Sequence, residues 1–79
     1  MPTLGDFIQR SQYYGFELRK TGLDIHGPRG VTRIDYLWRK FDRLFAPLPD
    51  LRDDQRLTEN EVRSLCAQLG IPGEDFGLS

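Results

Sequence analysis

The stretch from Lys20 to Gly30, KTGLDIHGPRG, holds the only histidine of a 79-residue chain, with basic residues on both sides of it. A histidine changes charge near neutral pH and can take a proton as a general base. Arg19, Lys20, Arg29 and Arg33 carry the charge needed to hold a phosphodiester and to stabilise the negative charge that develops as it is attacked. The chemistry these residues could perform together is metal-free RNA cleavage, with His26 as the catalytic candidate. The plainer reading makes His26 a solvated residue on the polar side of a hairpin, and that hairpin a binding surface without catalysis.

The basic hairpin and its flank, Arg19, Lys20, Arg29, Arg33, Arg39 and Lys40, form a candidate surface for RNA or for a charged protein partner. Phosphate contacts of this kind supply affinity without sequence information. Glu17, Asp24 and Asp35 are interspersed, as on an ordinary solvated face. Other chemistries fail on residue type. Asp50 to Glu61 has the length of an EF-hand loop between two helices. Arg52 sits where a ligand oxygen is required, and Gln55 replaces the turn glycine. No glycine-rich phosphate loop, serine-histidine-acid set or paired metal-ligand motif is present, so neither a metal nor a cofactor is expected. A lone Cys66 makes no internal disulfide and reads as a packed thiol.

The net charge of −1 conceals a division. From Gly15 to Arg43 there are seven Lys/Arg against four Asp/Glu, and from Ala46 to Ser79 three Arg against seven acids. The basic middle could face nucleic acid, a charged protein, or the acidic part of its own chain. Overall acidity counts against strong non-specific nucleic-acid binding. No apolar run approaches the roughly 18 residues of a membrane span, and the N-terminal residues lack a signal-peptide pattern. The expected compartment is cytoplasmic, with no membrane partner.

The elements that must position these residues follow from periodicity. TLGDFIQRSQYYG predicts a helix capped by Thr3 and stopped by Gly15, with Leu4, Phe7, Ile8 and Tyr14 near one face. FELRK and LDIH each alternate as half-buried strands, placing Asp24 and His26 on the polar side. GPRG at 27–30 is a turn. A short strand is expected at 31–34. For the segment that follows, Tyr36 and Trp38 alternate, but Ile34, Leu37, Trp38, Phe41, Leu44 and Phe45 match a longer helical stripe. The expectation is therefore a middle helix from about Asp35 to Phe45, with Trp38, Phe41 and Phe45 packed in the core, and a binding surface on this aromatic helix as the alternative. DLRDDQR reads as a polar connector. The last helix opens with the Thr58/Glu61 capping box, buries Val62, Leu65, Cys66 and Leu69, and stops at Gly70 before Pro72. The whole, residues 1–79, is expected to be one small α+β domain: a helix, short antiparallel strands, and one or two helices.

YYGFELRKTG and LTENEVRSLCAQLGIPGEDF resemble small HicA-type toxins. The resemblance covers about half of the chain and lies mostly in structural segments. It implies a double-stranded-RNA-binding-like α-β-β-β-α fold, mRNA cleavage, and a HicB-like antitoxin as partner. In that family a Gly-Ser-His motif opens the second strand and carries the catalytic histidine. Here Gly22 is followed by Leu23 and Asp24, and His26 lies two positions farther on, a displacement of ~7 Å along a strand. Three functions follow as expectations. The first is a non-catalytic RNA-binding module or divergent HicA-like toxin-antitoxin component. The second is a protein-binding inhibitor or regulatory subunit directed at a host complex. The third is a metal-free ribonuclease using His26.

Overall fold

The computed structural model describes the backbone of residues 1–27 and 30–78, and the side chains of residues 1–20 and 35–78. Helix α1, Leu4–Ser11, begins where Thr3 Oγ1 accepts the Asp6 N–H at 3.1 Å. That bond satisfies one of the donors every helix start leaves unpaired. The connector before the last helix satisfies two more: Leu4 N–H donates to the Gln55 carbonyl at 2.9 Å and Gly5 N–H to the Asp53 carbonyl at 3.0 Å. Beyond Ser11 the helix tightens into a 3-10 turn, Gln12–Tyr14, and Gly15 ends it at φ +87°. The predicted helix and its glycine stop are both present.

Three strands follow, β1 (Glu17–Gly27), β2 (Gly30–Trp38) and β3 (Phe45–Pro47), in an antiparallel sheet of order β1-β2-β3. The segments FELRK and LDIH belong to one long strand rather than two. The register is regular from Glu17 opposite Trp38 to Lys20 opposite Asp35. It then shifts, and residues 21–23 of β1 lie across from residue 34 alone before Asp24 meets Arg33. An irregularity of this kind bends a strand and raises its local twist. Gly27 pairs with Gly30 where GPRG was expected to turn, and Pro28 and Arg29 lie outside the described residues.

The middle helix expected at 35–45 is not formed. β2 continues through Tyr36 and Leu37 to Trp38, a turn follows, and β3 takes Phe45. Burial shows why. A helical stripe would have buried Leu37, Phe41 and Phe45 together, yet Leu37 is 0 % exposed while Phe41 is 94 % and Phe45 58 % exposed. The tyrosine and tryptophan at alternate positions suit a pleated strand, and β1 and β3 on either side complete its hydrogen bonds. One helical turn survives between the strands: Arg43 N–H donates to the Arg39 carbonyl at 2.8 Å, and Arg39 N–H closes the loop on the Leu44 carbonyl at 2.9 Å. Arg43 takes φ +60° to turn the chain back. The expectation that Trp38, Phe41 and Phe45 are core side chains is corrected with the helix.

Helix α2, Glu59–Leu69, carries the predicted capping box in full. Glu61 N–H donates to Thr58 Oγ1 at 3.1 Å, and Thr58 N–H donates to Glu61 Oε1 at 2.8 Å. Gly70 ends it at φ +69°. Val62, Leu65, Cys66 and Leu69 are buried as expected, and burial pushes the Cys66 thiol pKa up. These side chains join Leu4 and Phe7 of α1, Leu37 and Ala46 of the sheet, and Leu57, Ile71 and Phe76 in one core. Phe76 reaches it from a 3-10 turn after α2 and stacks on Phe7 with ring centroids 4.5 Å apart. No helix of the described residues is long and apolar enough to cross a membrane.

Candidate nucleic-acid interface

A pleated strand points successive side chains to opposite faces, and residues paired in register point the same way. Leu18, Leu37 and Ala46 stand side by side across the sheet, and the last two are fully buried in the core. The neighbouring positions must face away from it. They form two rows, Glu17–Trp38–Phe45 and Arg19–Tyr36–Pro47. Tyr36 and Phe45 meet edge to face with centroids 6.2 Å apart. The Arg19 guanidinium lies 5.9 Å from the Trp38 ring centroid, and its Nη2 is 3.3 Å from Glu17 Oε2. A cation over an indole face is attracted by the ring quadrupole, while an exposed ion pair such as Arg19–Glu17 contributes little. Trp38 Nε1–H is shielded from solvent and has no hydrogen-bond partner among the described residues.

Of the six cations singled out by sequence, the four with described side chains do not converge. Arg19 belongs to the open aromatic face. Lys20, one position on, belongs to the other face, opposite Asp35 in register, where it lines a cavity of about 130 Å³ with Leu18, Asp35, Asp50 and Asp53. Lys40 is exposed in the turn between β2 and β3. Arg29 lies outside the described residues. So do the side chains of His26 and Arg33, whose backbones pair with Val31 and Asp24.

Arg39 is built into the fold. Its Nε and Nη2 donate to the two carboxylate oxygens of Asp42 at 3.0 and 2.6 Å, its Nη1 donates to the Tyr14 carbonyl at 2.8 Å, and its guanidinium lies 4.5 Å from the Phe16 ring centroid. The planar fork of arginine suits this simultaneous use of three directions. The hydrogen bond from Arg39 holds the Asp42 carboxyl below its usual range, and the same bond raises the Arg39 pKa further. Arg39 therefore pins the corner between α1 and β1 to the turn after β2, and its hydrogen-bonding edge is already taken.

Sequence reasoning passed over Arg43 and Tyr36. Arg43 is exposed in the same turn as Lys40 and Phe41. Tyr36 and Phe45 join Trp38 only because β3 brings Phe45 across from it. The alternation of Ile34, Tyr36 and Trp38 was the available signal, and the longer helical stripe outweighed it. Among the described residues no group of three or more His, Cys, Asp or Glu is placed to hold a metal ion. Comparison of the chain with known protein families, with curated proteins and with solved structures finds no match.

Proposed function

We propose that this chain is a non-catalytic RNA-binding module, of the kind a divergent HicA-like toxin-antitoxin component would provide. The observation that carries the reading is the helix-free face of the sheet, where Arg19 lies over Trp38 beside the Tyr36–Phe45 pair. Charge supports it. The segment forming β1, β2 and the following turn has seven Lys/Arg against four acids, whereas the segment from β3 onward has three against seven. A polyanion is drawn to the first and repelled by the second. The element order α1-β1-β2-β3-α2 also agrees with the fold that the resemblance implies.

The test is binding of a labelled RNA measured by fluorescence anisotropy across a salt series. If Arg19, Lys40 and Arg43 each neutralise one phosphate, a slope of about −0.7 per contact for a single strand gives a fall of roughly 20-fold between about 50 and 200 mM salt. Arg19→Gln and Lys40→Gln should each make that slope shallower by about 0.7. Affinity that does not change with salt would remove phosphate contacts from the reading and favour a protein partner instead. RNA incubated with the wild-type chain should stay intact. Cleavage that His26→Ala abolishes would replace the binding module with the ribonuclease.

A further inference from the structure

We infer that the open sheet face takes unpaired RNA bases by stacking on Tyr36, Trp38 and Phe45, so that the preferred ligand is single-stranded RNA rather than a duplex. This rests on the RNA-binding reading and specifies its ligand.

Both helices lie across the core from this face, since Leu37 and Ala46 point into that core from the same strands. Tyr36 and Trp38 are half-buried, with the Arg19 guanidinium over the Trp38 ring. Phe45 is 58 % exposed, and Phe41, at the tip of the adjoining turn, protrudes almost completely. The rings occupy adjacent pleat positions on two neighbouring strands. That spacing sets them about 5 Å apart across strands and ~7 Å apart along one. An aromatic patch of this size is also what a protein partner would bury, and it is the charge around it that chooses between the two occupants. A base presents a π face next to a phosphate, so its site needs rings and cations interleaved. Arg19 stands within the patch, over Trp38 and paired with Glu17, and Lys40 and Arg43 lie on either side of Phe41 in the sequence of the turn that leads to Phe45. A duplex keeps its base faces stacked inside the helix, where side chains on a sheet surface do not reach them. Only an unpaired strand can use the rings and the cations at once.

Trp38 is the single tryptophan of the chain, so its emission reports on this face with no label. The experiment titrates the full chain with single-stranded oligouridine and with the same strand annealed to oligoadenosine. Both Trp38 emission and anisotropy of the labelled RNA are read. Quenching by the single strand, with binding at least ten-fold tighter than the duplex, is expected. Phe45→Ala should weaken the single strand by on the order of 5-fold or more, the lower end of one stacked base, and leave the duplex unchanged. Phe45→Leu, which keeps an apolar strand residue, should lose as much affinity, and melting of both variants at the wild-type temperature excludes a folding defect.

The outcomes separate the two readings. RNA that binds with equal affinity as single strand and duplex, without change in Trp38 emission, overturns the stacking inference and leaves an RNA-binding module standing. No binding of either RNA at low salt overturns both, and association with a protein that Phe45→Ala abolishes would then assign the face to that partner.

Discussion

Leu37 and Phe41 are four residues apart and would share one face of a helix, but the fold treats them oppositely. Leu37 is 0 % exposed between Leu18 and Ala46, and Phe41 is 94 % exposed in a turn. Truncating a buried leucine costs about 3 kcal/mol through lost burial and the cavity left behind. A chain of this length has roughly 4–12 kcal/mol of total stability to lose. With an unfolding entropy of about 2.1 cal/mol/K per residue, each kcal/mol moves the melting temperature of a chain this short by about 6 °C. Leu37→Ala should therefore melt about 18 °C below wild type. Phe41→Ala removes a larger side chain yet should fall within about 0.5 kcal/mol of wild type, a shift of 3 °C or less, because a surface side chain without partners contributes little. Thermal melts followed by far-UV circular dichroism measure both. Comparable losses for the two variants would mean that they share a buried face, and would refute the strand-turn-strand assignment of residues 30–47.

Two further outcomes follow from single contacts. A Cβ at Gly5 would stand 3.1 Å from the Asp53 carbonyl oxygen and 3.3 Å from Asp53 Cβ. Gly5→Ala should therefore lower the melting temperature, because overpacking costs about 1–3 kcal/mol against about 1 gained in helix propensity; a rise in a thermal melt would show that the connector yields without loss. Asp42 has its pKa depressed by the hydrogen bond from Arg39, so its contribution to stability is present above the ordinary carboxylate pKa of about 3.9 and is lost as pH falls through the lower folded value. Asp42→Asn should flatten the acid limb of a urea-stability profile below about pH 4, and an unaltered limb would show that the Arg39–Asp42 pair contributes nothing to the stability of the fold.

The parts of the fold that the sequence revealed are those governed by local chemistry. Thr3, Gly15, the Thr58/Glu61 box and Gly70 each act on backbone groups within a few residues of themselves, so their types and spacing were sufficient. Leu4, Phe7, Val62, Leu65, Cys66 and Leu69 lie on helical stripes that no other period explains. Residues 35–45 differ because both periods fit them. The decision lay in long-range pairing, with Leu37 set between Leu18 on one side and Ala46 on the other, and a β3 of three residues gives almost no periodic signal of its own. The candidate site suffered from the same blindness. Arg39 reads as one more cation in a basic run until the Tyr14 carbonyl and Phe16, which close on it from the preceding corner, are known.

That reassignment changes what kind of binding the surface can support. A count of six basic candidates suggests an electrostatic binder with a steep salt dependence. Arg39 is occupied by Asp42 and Tyr14, and Lys20 belongs to the opposite face from Arg19. A ligand on the open face therefore meets, among the described residues, Arg19 within the patch and Lys40 and Arg43 in the adjoining turn. Three phosphate contacts on a single strand give a salt slope near −2, shallow beside the roughly six to ten contacts of a strong DNA-binding protein. If RNA is nevertheless held, much of the affinity must come from contacts that salt does not screen, and the rings of Tyr36, Trp38 and Phe45 are the described groups on that face able to make them. Salt dependence and ring dependence are thus two measurements of one division of labour. A shallow slope with a large loss on Phe45→Ala is the combination this face requires, and a steep slope with no loss would place the binding on the distal hairpin around Arg29 and Arg33.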